Sequence, residues 1–245
     1  MNKIKIISLL ILVAGCSYES QQIQFESLLD SEWSKIVNDN PVYASSMGDI
    51  SQNTEWSDTS VEKINSDHQH QLNVLNQLDE LDISDFTEDN KVNYLLFKQQ
   101  YEDSIESHAY KTFLIPFSHR GGIQLQHETT SIVPLRNKQH YLDWIERISK
   151  IDVLVDAAIE KGKIGIAEDI VPPRFLMQKV YKQIELQAFV EPKGSPFYRI
   201  FLEMDRSINK IETEEIQKQA LKVIKSKVIP AYLKLHRFFK DEYLP

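Results

Sequence analysis

Apolar residues recur three and four positions apart along most of the chain, and no alternating strand pattern persists. This periodicity is typical of amphipathic helices. In the first such segment it predicts a helix over about residues 22–38. Asn40 and Pro41 are then expected to be the N-cap and the first position of a short second helix that ends at Gly48. The same pattern, bounded by capping residues, glycine or proline, predicts further helices over about residues 40–48, 60–81, 87–109, 137–148, 153–159, 173–189, 197–208 and from 213 onward.

Local signals refine these helices at three places. Gly162 and Gly165 are expected to interrupt the helix that begins near residue 153, because glycine is a poor helix former. Thr213 is expected to begin the last helix, because Glu214 and Glu215 directly after it would interact favourably with the positive N-terminal end of the helix dipole. Pro230 is expected to kink that helix.

The helices are expected to form one all-α unit. The sequence has neither internal repeats nor low-complexity tracts, and residues 25–245 are long enough to bury a sizeable core. A mostly antiparallel multi-helix array is therefore predicted for this range. Residues 16–24 are expected to be a flexible tether in front of it.

The first fifteen residues have the composition of a secretory signal. A short positive region precedes an apolar run over residues 6–13, which is shorter than the ~20 residues needed to span a bilayer. Ala14 and Gly15 then lead to Cys16, and this segment resembles the lipobox of bacterial lipoproteins. Cys16 is also the single cysteine of the chain, so we predict that it carries the lipid. The alternative is an ordinary signal peptide cut near Ala14.

The predicted anchor also sets the expected location and charge. Ser17 after the cysteine is a signal for the outer membrane, facing the periplasm, in bacteria with two membranes. Removal of residues 1–15 takes away two lysines, which leaves 26 basic and 36 acidic residues and a net charge of −10. This balance excludes a nucleic-acid partner, because phosphates require a basic surface. It also predicts that membrane attachment depends on the lipid at Cys16.

No complete active site is encoded. His127 and Glu128 begin a segment that reads HETTS, so the second histidine of a zinc-peptidase helix is replaced by Ser131. The other histidines also lack ligand spacing, and His68 and His70 are interpreted as scattered surface or boundary residues. There is neither a nucleophile elbow nor a glycine-rich phosphate loop. The prediction is therefore no metal site and no catalytic residue in this chain.

Residues 110–135 break the helical pattern and are the expected place for a ligand-facing loop. Long irregular segments within compact domains are often functional. His119 and Arg120, followed by Gly121 and Gly122, could offer a cation and backbone N–H groups to an anionic group such as a peptide carboxylate. The alternative is a tight turn that requires positive φ at glycine.

Several stretches, in this order, resemble a bacterial family known as domain of unknown function 885. They are NPVYASSMG (residues 40–48), HRGG (119–122), HYLDWIERISKI (140–151), AAIEKGKIGIAEDIVPPR (157–174), SPFYRIF (195–201) and VIPAYLKLHRFFKDEYLP (228–245).

The resemblance implies a mostly helical, cleft-containing fold similar to zinc metallopeptidases, in members that are often exported lipoproteins. Their glutamate and histidine zinc ligands lie in a C-terminal half that this sequence does not contain. The resemblance therefore implies the N-terminal, cleft-forming part, inactive as written, with zinc bound only once the C-terminal half is present. Its partners would be a peptide substrate or that complementing half. The alternative is a stand-alone surface lipoprotein that binds a peptide or protein without catalysis.

The last predicted helix carries a broad apolar stripe, from Val228 through Tyr232 and Leu235 to Phe239. A helix of this kind is marginal in water without a partner surface. If a C-terminal half normally covers the stripe, we expect this chain to expose it as a large apolar patch.

Overall fold

A computed structural model describes residues 20–244, and over this range the chain is an array of helices with a single pair of two-residue strands. The predicted all-α, multi-helix fold is confirmed. The helices are α1 (Gln21–Asp39), α2 (Pro41–Ser46), α3 (Val61–Asp79), α4 (Glu88–Ala109), α5 (Lys138–Ser149), α6 (Ile151–Ala167), α7 (Arg174–Ala188), α8 (Lys210–Val223) and α9 (Ile229–Phe238). The antiparallel strands are β1 (Phe117–Ser118) and β2 (Gly121–Gly122).

The first helix matches its predicted range of about residues 22–38 to within one residue at each end. α1 begins at Gln21, and the side chain of Ser20 caps it by accepting a hydrogen bond from the Ile23 N–H. This start lies one residue before the predicted helix, and residues 21–24 of the predicted tether are part of that helix. The predicted signal peptide, Cys16 and the rest of the tether up to residue 19 lie outside the described residues.

Polar side chains define where the helices start. Ser60 and Thr87 cap α3 and α4, and both stand at the first residue of the range that the sequence predicted for each helix. The last long helical stretch starts earlier than expected, because Asn209 and not Thr213 caps α8. Asn209 accepts the backbone N–H of Glu212 at 3.0 Å, and the Glu212 carboxylate accepts from the Asn209 amide at 2.8 Å. The first of these bonds satisfies a free backbone N–H at the helix start, and the second holds the Asn209 side chain in place.

Helix α6 continues through both glycines that were expected to interrupt it. A Cβ on Gly162 would lie 3.0 Å from the Phe238 ring, and one on Gly165 would lie 2.7 Å from the Leu114 carbonyl oxygen. The glycines therefore allow other segments to approach the helix closely. Packing of those segments outweighs the low helix propensity of glycine.

Two hydrophobic cores hold the array together. The larger core is formed by α5–α9 together with β1 and the turns around it, and Trp144 is one of its largest buried side chains. The smaller core lies among α1, α3 and α4 and consists of Phe25, Val74, Leu78, Phe86, Tyr94 and Tyr101.

The apolar stripe of the last helix lies inside the larger core. Val228, Tyr232, Leu235 and Phe239 are all fully buried, and α9 packs on α6 and α7. The expectation that this chain exposes the stripe is wrong, because its own helices cover it. A π-helical segment (Ile224–Val228) joins α8 to α9 and changes the register, so that the Pro230 expected to kink the helix stands in the first turn of α9.

Candidate functional site

The predicted loop residues form the turn of a small hairpin. Ser118 pairs with Gly121 and Phe117 with Gly122, so His119 and Arg120 lie at the tip. Gly122 has a φ of +123°, which explains why glycine is required at this position. The alternative of a tight turn therefore describes Gly122 correctly.

Side chains from outside the hairpin occupy its backbone acceptors. The Gln124 amide donates to the Ser118 carbonyl at 2.6 Å, and the Gln183 amide donates to the His119 carbonyl at 3.1 Å. Arg120 is exposed to solvent. His119, Arg120, Gly121 and Gly122 are thus brought together, but they lie outside the cleft described next. Their role in substrate binding stays a prediction.

A polar cleft of about 320 Å³ opens between α1, α3 and α4. At its base the buried carboxylate of Glu32 accepts two hydrogen bonds from neighbouring helices. Nε2 of His70 lies 2.8 and 2.9 Å from the two carboxylate oxygens, and the Tyr101 hydroxyl donates to Oε2 at 2.5 Å. The cleft is therefore built around a carboxylate, an imidazole and a phenol from three different helices.

The positions of these three residues follow from the helical repeat. Glu32 stands seven residues after Phe25 on α1, and Tyr101 stands seven residues after Tyr94 on α4. His70 stands four residues before Val74 on α3. Each polar residue thus continues the face that its helix turns toward the smaller core. The polar group therefore lies at the edge of the smaller core, and Tyr101 belongs to both.

Four charged side chains form a ring at one side of the cleft. The Lys63 ammonium lies 2.9 Å from Asp39 and 2.5 Å from Asp67, and Lys35 contacts the same two carboxylates. Burial opposes the charge on Lys35, but its hydrogen bonds to Asp39 and Asp67 outweigh burial and raise its pKa above the ordinary lysine value. Burial likewise opposes the charges of Asp39 and Asp67, yet their lysine partners lower both pKa values. The two carboxylates of the ring are therefore ionised at neutral pH.

The hydrogen-bond directions at the base of the cleft are also determined. Burial, and then the hydrogen bond to Glu32, raise the pKa of Tyr101, so its hydroxyl stays protonated and donates. Nε2 of His70 must carry a proton in order to donate to the Glu32 carboxylate. About a third of the His70 side chain is exposed, and it lines the cleft.

The described histidines do not form the zinc site that the resemblance implies for the whole family fold. No group of three histidine, cysteine, aspartate or glutamate side chains within residues 20–244 could hold a metal ion. His68 and His108 stack with ring centroids 3.8 Å apart and nearly parallel planes, so their nitrogens do not converge. His127 Nδ1 lies 3.0 Å from the Gln187 amide. Nε2 of His236 lies 2.6 Å from the Tyr181 hydroxyl and 3.9 Å from the Glu185 carboxylate.

Sequence reasoning missed this cleft. It treated His68 and His70 as scattered histidines and did not single out Glu32. The signal that could have revealed the site is a polar residue standing in the apolar stripe of each of three consecutive long helices. A single helix with such a residue is uninformative, because boundary positions are commonly polar.

A membrane-crossing helix is not found among residues 20–244, where every helix is too short or too polar to span a bilayer.

Comparison with known proteins gives a family and a fold. Residues 41–245 match the family described as bacterial protein of unknown function (DUF885), a range that includes His70 and Tyr101 but not Glu32. No curated protein matches the chain.

The crystal structure of a candidate lipoprotein from Colwellia psychrerythraea has a similar fold, with a TM-score of 0.75 and 17% sequence identity. The match covers 91% of this chain and 41% of that one, so the chain spans about two fifths of the length of that protein. Because the family match covers most of the sequence, the chain belongs to the DUF885 family of bacterial proteins.

Proposed function

We propose that this chain forms one wall of the substrate cleft of an exported lipoprotein that resembles zinc peptidases, and that it binds short peptides in the cleft between α1, α3 and α4. The observation that carries the proposal is the Glu32–His70–Tyr101 group at the base of that cleft. Family membership supports it, as does the match to part of a longer lipoprotein-like structure.

The cleft suits a small ligand that both donates and accepts hydrogen bonds. Its volume of about 320 Å³ is at the lower end of ligand pockets. The side chains of Gln71, Gln100 and Ser104 supply amide and hydroxyl groups along its walls, and Ile36 adds an apolar surface. A di- or tripeptide offers matching N–H and C=O groups along its backbone.

The proposal assigns no zinc to this chain. Zinc needs three or four converging ligands, and the described residues do not supply them. We therefore expect zinc only when the family's C-terminal half is present. Metal analysis of the purified chain by mass spectrometry should find less than a tenth of an equivalent of zinc, and one equivalent removable by a chelator would overturn this assignment.

The proposal also places the chain in the cell envelope. Cys16 would carry the lipid, with the protein on the outer membrane facing the periplasm. The sequence before Cys16 supports this, and the lipoprotein description of the similar structure agrees with it. Membrane fractionation and intact mass of the chain and of Cys16→Ser test the anchor, and an unmodified, soluble wild-type chain would contradict it.

A second candidate is a stand-alone lipoprotein that binds a peptide or protein partner without catalysis. The complete burial of Val228, Tyr232, Leu235 and Phe239 favours it, because the last helix then needs no further chain to cover it. The two candidates share the peptide-binding cleft. They differ in whether a zinc-binding C-terminal half, when co-expressed, associates with the chain and restores cleavage of a fluorogenic peptide.

Titration calorimetry with trialanine on the unlipidated Cys16→Ser chain tests the binding proposal. We expect saturable binding of about one peptide per chain. Gln100→Trp should fill the cleft and abolish binding, whereas Gln99→Trp, next to it on α4 and outside the cleft lining, should not. Absence of binding, or equal loss in both variants, would overturn the proposal.

A further inference from the structure

We infer that the ligand of this cleft is an extended peptide of about five residues or more, because the cleft continues along α3 and α4 as a groove that a tripeptide cannot fill. This inference rests on the proposed function and adds to it the length of the peptide and the chemistry of the residue at its far end. That residue would place an apolar side chain against Ile64, His108 and Phe113.

A second cavity adjoins the cleft. Its volume is about 240 Å³, and Asp67, Gln71 and Ser104 line both cavities. The rest of its lining comes from the same two helices and from the short segment after α4, and consists of Ile64, Ser107, His108, Thr112 and Phe113. The two cavities are therefore neighbouring sections of one groove.

The groove follows α3 and α4, which run side by side in opposite directions. The Tyr94 hydroxyl, near the start of α4, donates to the Leu78 carbonyl near the end of α3, and His108 Nε2, near the end of α4, lies 3.2 Å from the Asn65 amide oxygen. Eight residues separate Gln100 in the cleft from His108 in the second cavity, which is about 12 Å along the helix axis. An extended chain advances about 3.3 Å per residue, so about four residues cover this distance. The cleft continues beyond Gln100 toward α1, so a peptide that fills the whole groove is longer still.

Three polar side chains along the groove carry hydrogen-bonding groups that the chain itself does not use. Gln100 lines the cleft, and Gln71 and Ser104 lie where the two cavities meet. None of these three side chains is hydrogen-bonded to another part of residues 20–244. Two amides and one hydroxyl offer both donors and acceptors, and the backbone of an extended peptide presents matching C=O and N–H groups. These groups therefore favour a peptide backbone that crosses from one cavity to the other.

The far end of the groove is aromatic and apolar. The His108 ring stacks on His68 with centroids 3.8 Å apart and on Phe113 at 5.2 Å, and Ile64 lies beside them in the lining. Burial, and then the neighbouring His68, lower the pKa of His108, so its ring is uncharged at neutral pH. This wall is formed by contacts within the chain and needs no ligand to assemble it. It favours an apolar or aromatic side chain at this end of the peptide.

Titration calorimetry on the unlipidated Cys16→Ser chain with trialanine and pentaalanine tests the length of the ligand. We expect pentaalanine to bind at least about tenfold more tightly, because it adds hydrogen bonds and buried surface in the second cavity. Equal affinities would overturn the inference and leave the proposed function intact. If neither peptide binds, the proposed function itself fails.

Ser107→Trp tests whether the second cavity is responsible, because an indole at this position fills it from the side of α4. It should reduce the affinity for pentaalanine to that for trialanine and leave trialanine unchanged. Ser66→Trp, exposed on α3 and outside both linings, is the matched control and should change neither affinity. Undiminished binding of pentaalanine to Ser107→Trp would overturn the inference. Circular dichroism checks the fold, and Thr112→Trp is the second variant if Ser107→Trp does not fold.

Two further pentapeptides, with phenylalanine in place of the first or the last alanine, test the apolar end of the groove. One of them should bind at least about threefold more tightly than pentaalanine, since its ring would pack on the aromatic wall. Ser107→Trp should remove this gain, whereas Ser66→Trp should keep it. If neither peptide binds more tightly than pentaalanine, the assignment of an apolar side chain to this end is overturned.

Discussion

Arg147 shows how one buried charged residue joins two parts of the chain. It lies on α5 with about 1% of its surface exposed, and burial lowers its pKa to about 10. Its guanidinium donates to the Ser45 hydroxyl at 2.9 Å and to the Gln52 carbonyl at 3.2 Å, and it lies over the Trp56 ring. This arrangement gives a structural reason for the NPVYASSMG segment of the family resemblance.

Replacing Arg147 by lysine should therefore destabilise the chain. An ammonium cannot reproduce the planar, forked donors of a guanidinium, and it would leave buried acceptors unpaired. We expect Arg147→Lys to lower the free energy of unfolding by about 2–3 kcal/mol in urea denaturation. Arg237→Lys, at an exposed position on α9, is the control and should change it by less than about 0.5 kcal/mol. Equal effects would contradict this account.

Alanine substitutions at the two glycines of α6 should destabilise the chain to different extents. A Cβ at position 165 would meet two backbone carbonyl oxygens, those of Leu114 at 2.7 Å and Ile170 at 2.8 Å, whereas at 162 it would meet aromatic ring atoms. Backbone cannot move aside as a side chain can. Gly165→Ala should cost about 1–3 kcal/mol, despite the gain in helix propensity, and more than Gly162→Ala. Thermal unfolding of both variants measures this, and a stabilised Gly165→Ala would refute it.

At the scale of the elements, α1 and α3 are joined by the ring of Lys35, Asp39, Lys63 and Asp67. Two of these contacts are between residues four apart on one helix, and the other two cross between the helices. Each residue is partly exposed, so solvent weakens the individual pairs. The ring nevertheless holds α1 and α3 together at one side of the cleft, because each lysine contacts a carboxylate on both helices.

This ring predicts a pH-dependent part of the stability. The folded-state pKa of Asp67 is lower than its unfolded value of about 3.9, so its stabilisation is complete above that value and is lost as the pH falls through the folded pKa. Asp67→Asn should cost about 1 kcal/mol at pH 7, after allowance for solvent. The difference from wild type should shrink below about pH 4. Urea unfolding at pH 7 and pH 3 measures it, with the exposed Asp30→Asn as the control.

A difference between wild type and Asp67→Asn that stays constant between pH 7 and pH 3 would contradict the assignment. It would mean that the charge of Asp67 contributes nothing to the free energy of unfolding, and that the amide of the asparagine lowers stability by disturbing the packing. An effect of the same size in Asp30→Asn would have the same meaning.

At the scale of the whole molecule, the sequence predicted the helices well and their packing less well. Periodicity and caps such as Ser60 and Thr87 are local, so they could be read directly. Gly162 and Gly165 were misread because their role depends on Phe238 and on the Leu114 backbone, which are distant in sequence. The cleft was missed for the same reason, since its three central residues come from three helices.

The stripe on the last helix was recognised, but its partner was not. Sequence alone could not tell whether α6 and α7 or a further chain would cover it. Because Leu235 is fully buried, Leu235→Ala should cost about 2–5 kcal/mol through lost burial and a cavity. Leu186→Ala, on the exposed face of α7, should cost much less. A near-neutral Leu235→Ala in urea denaturation would mean that α9 is loosely packed in this chain.

A crystal structure of the unlipidated chain grown with trialanine tests the central claim most directly. The account predicts one peptide between α1, α3 and α4, in contact with the Glu32–His70–Tyr101 group at the base of the cleft. Peptide density at the His119–Gly122 hairpin, with the cleft holding solvent, would contradict it and would favour the loop that the sequence first suggested.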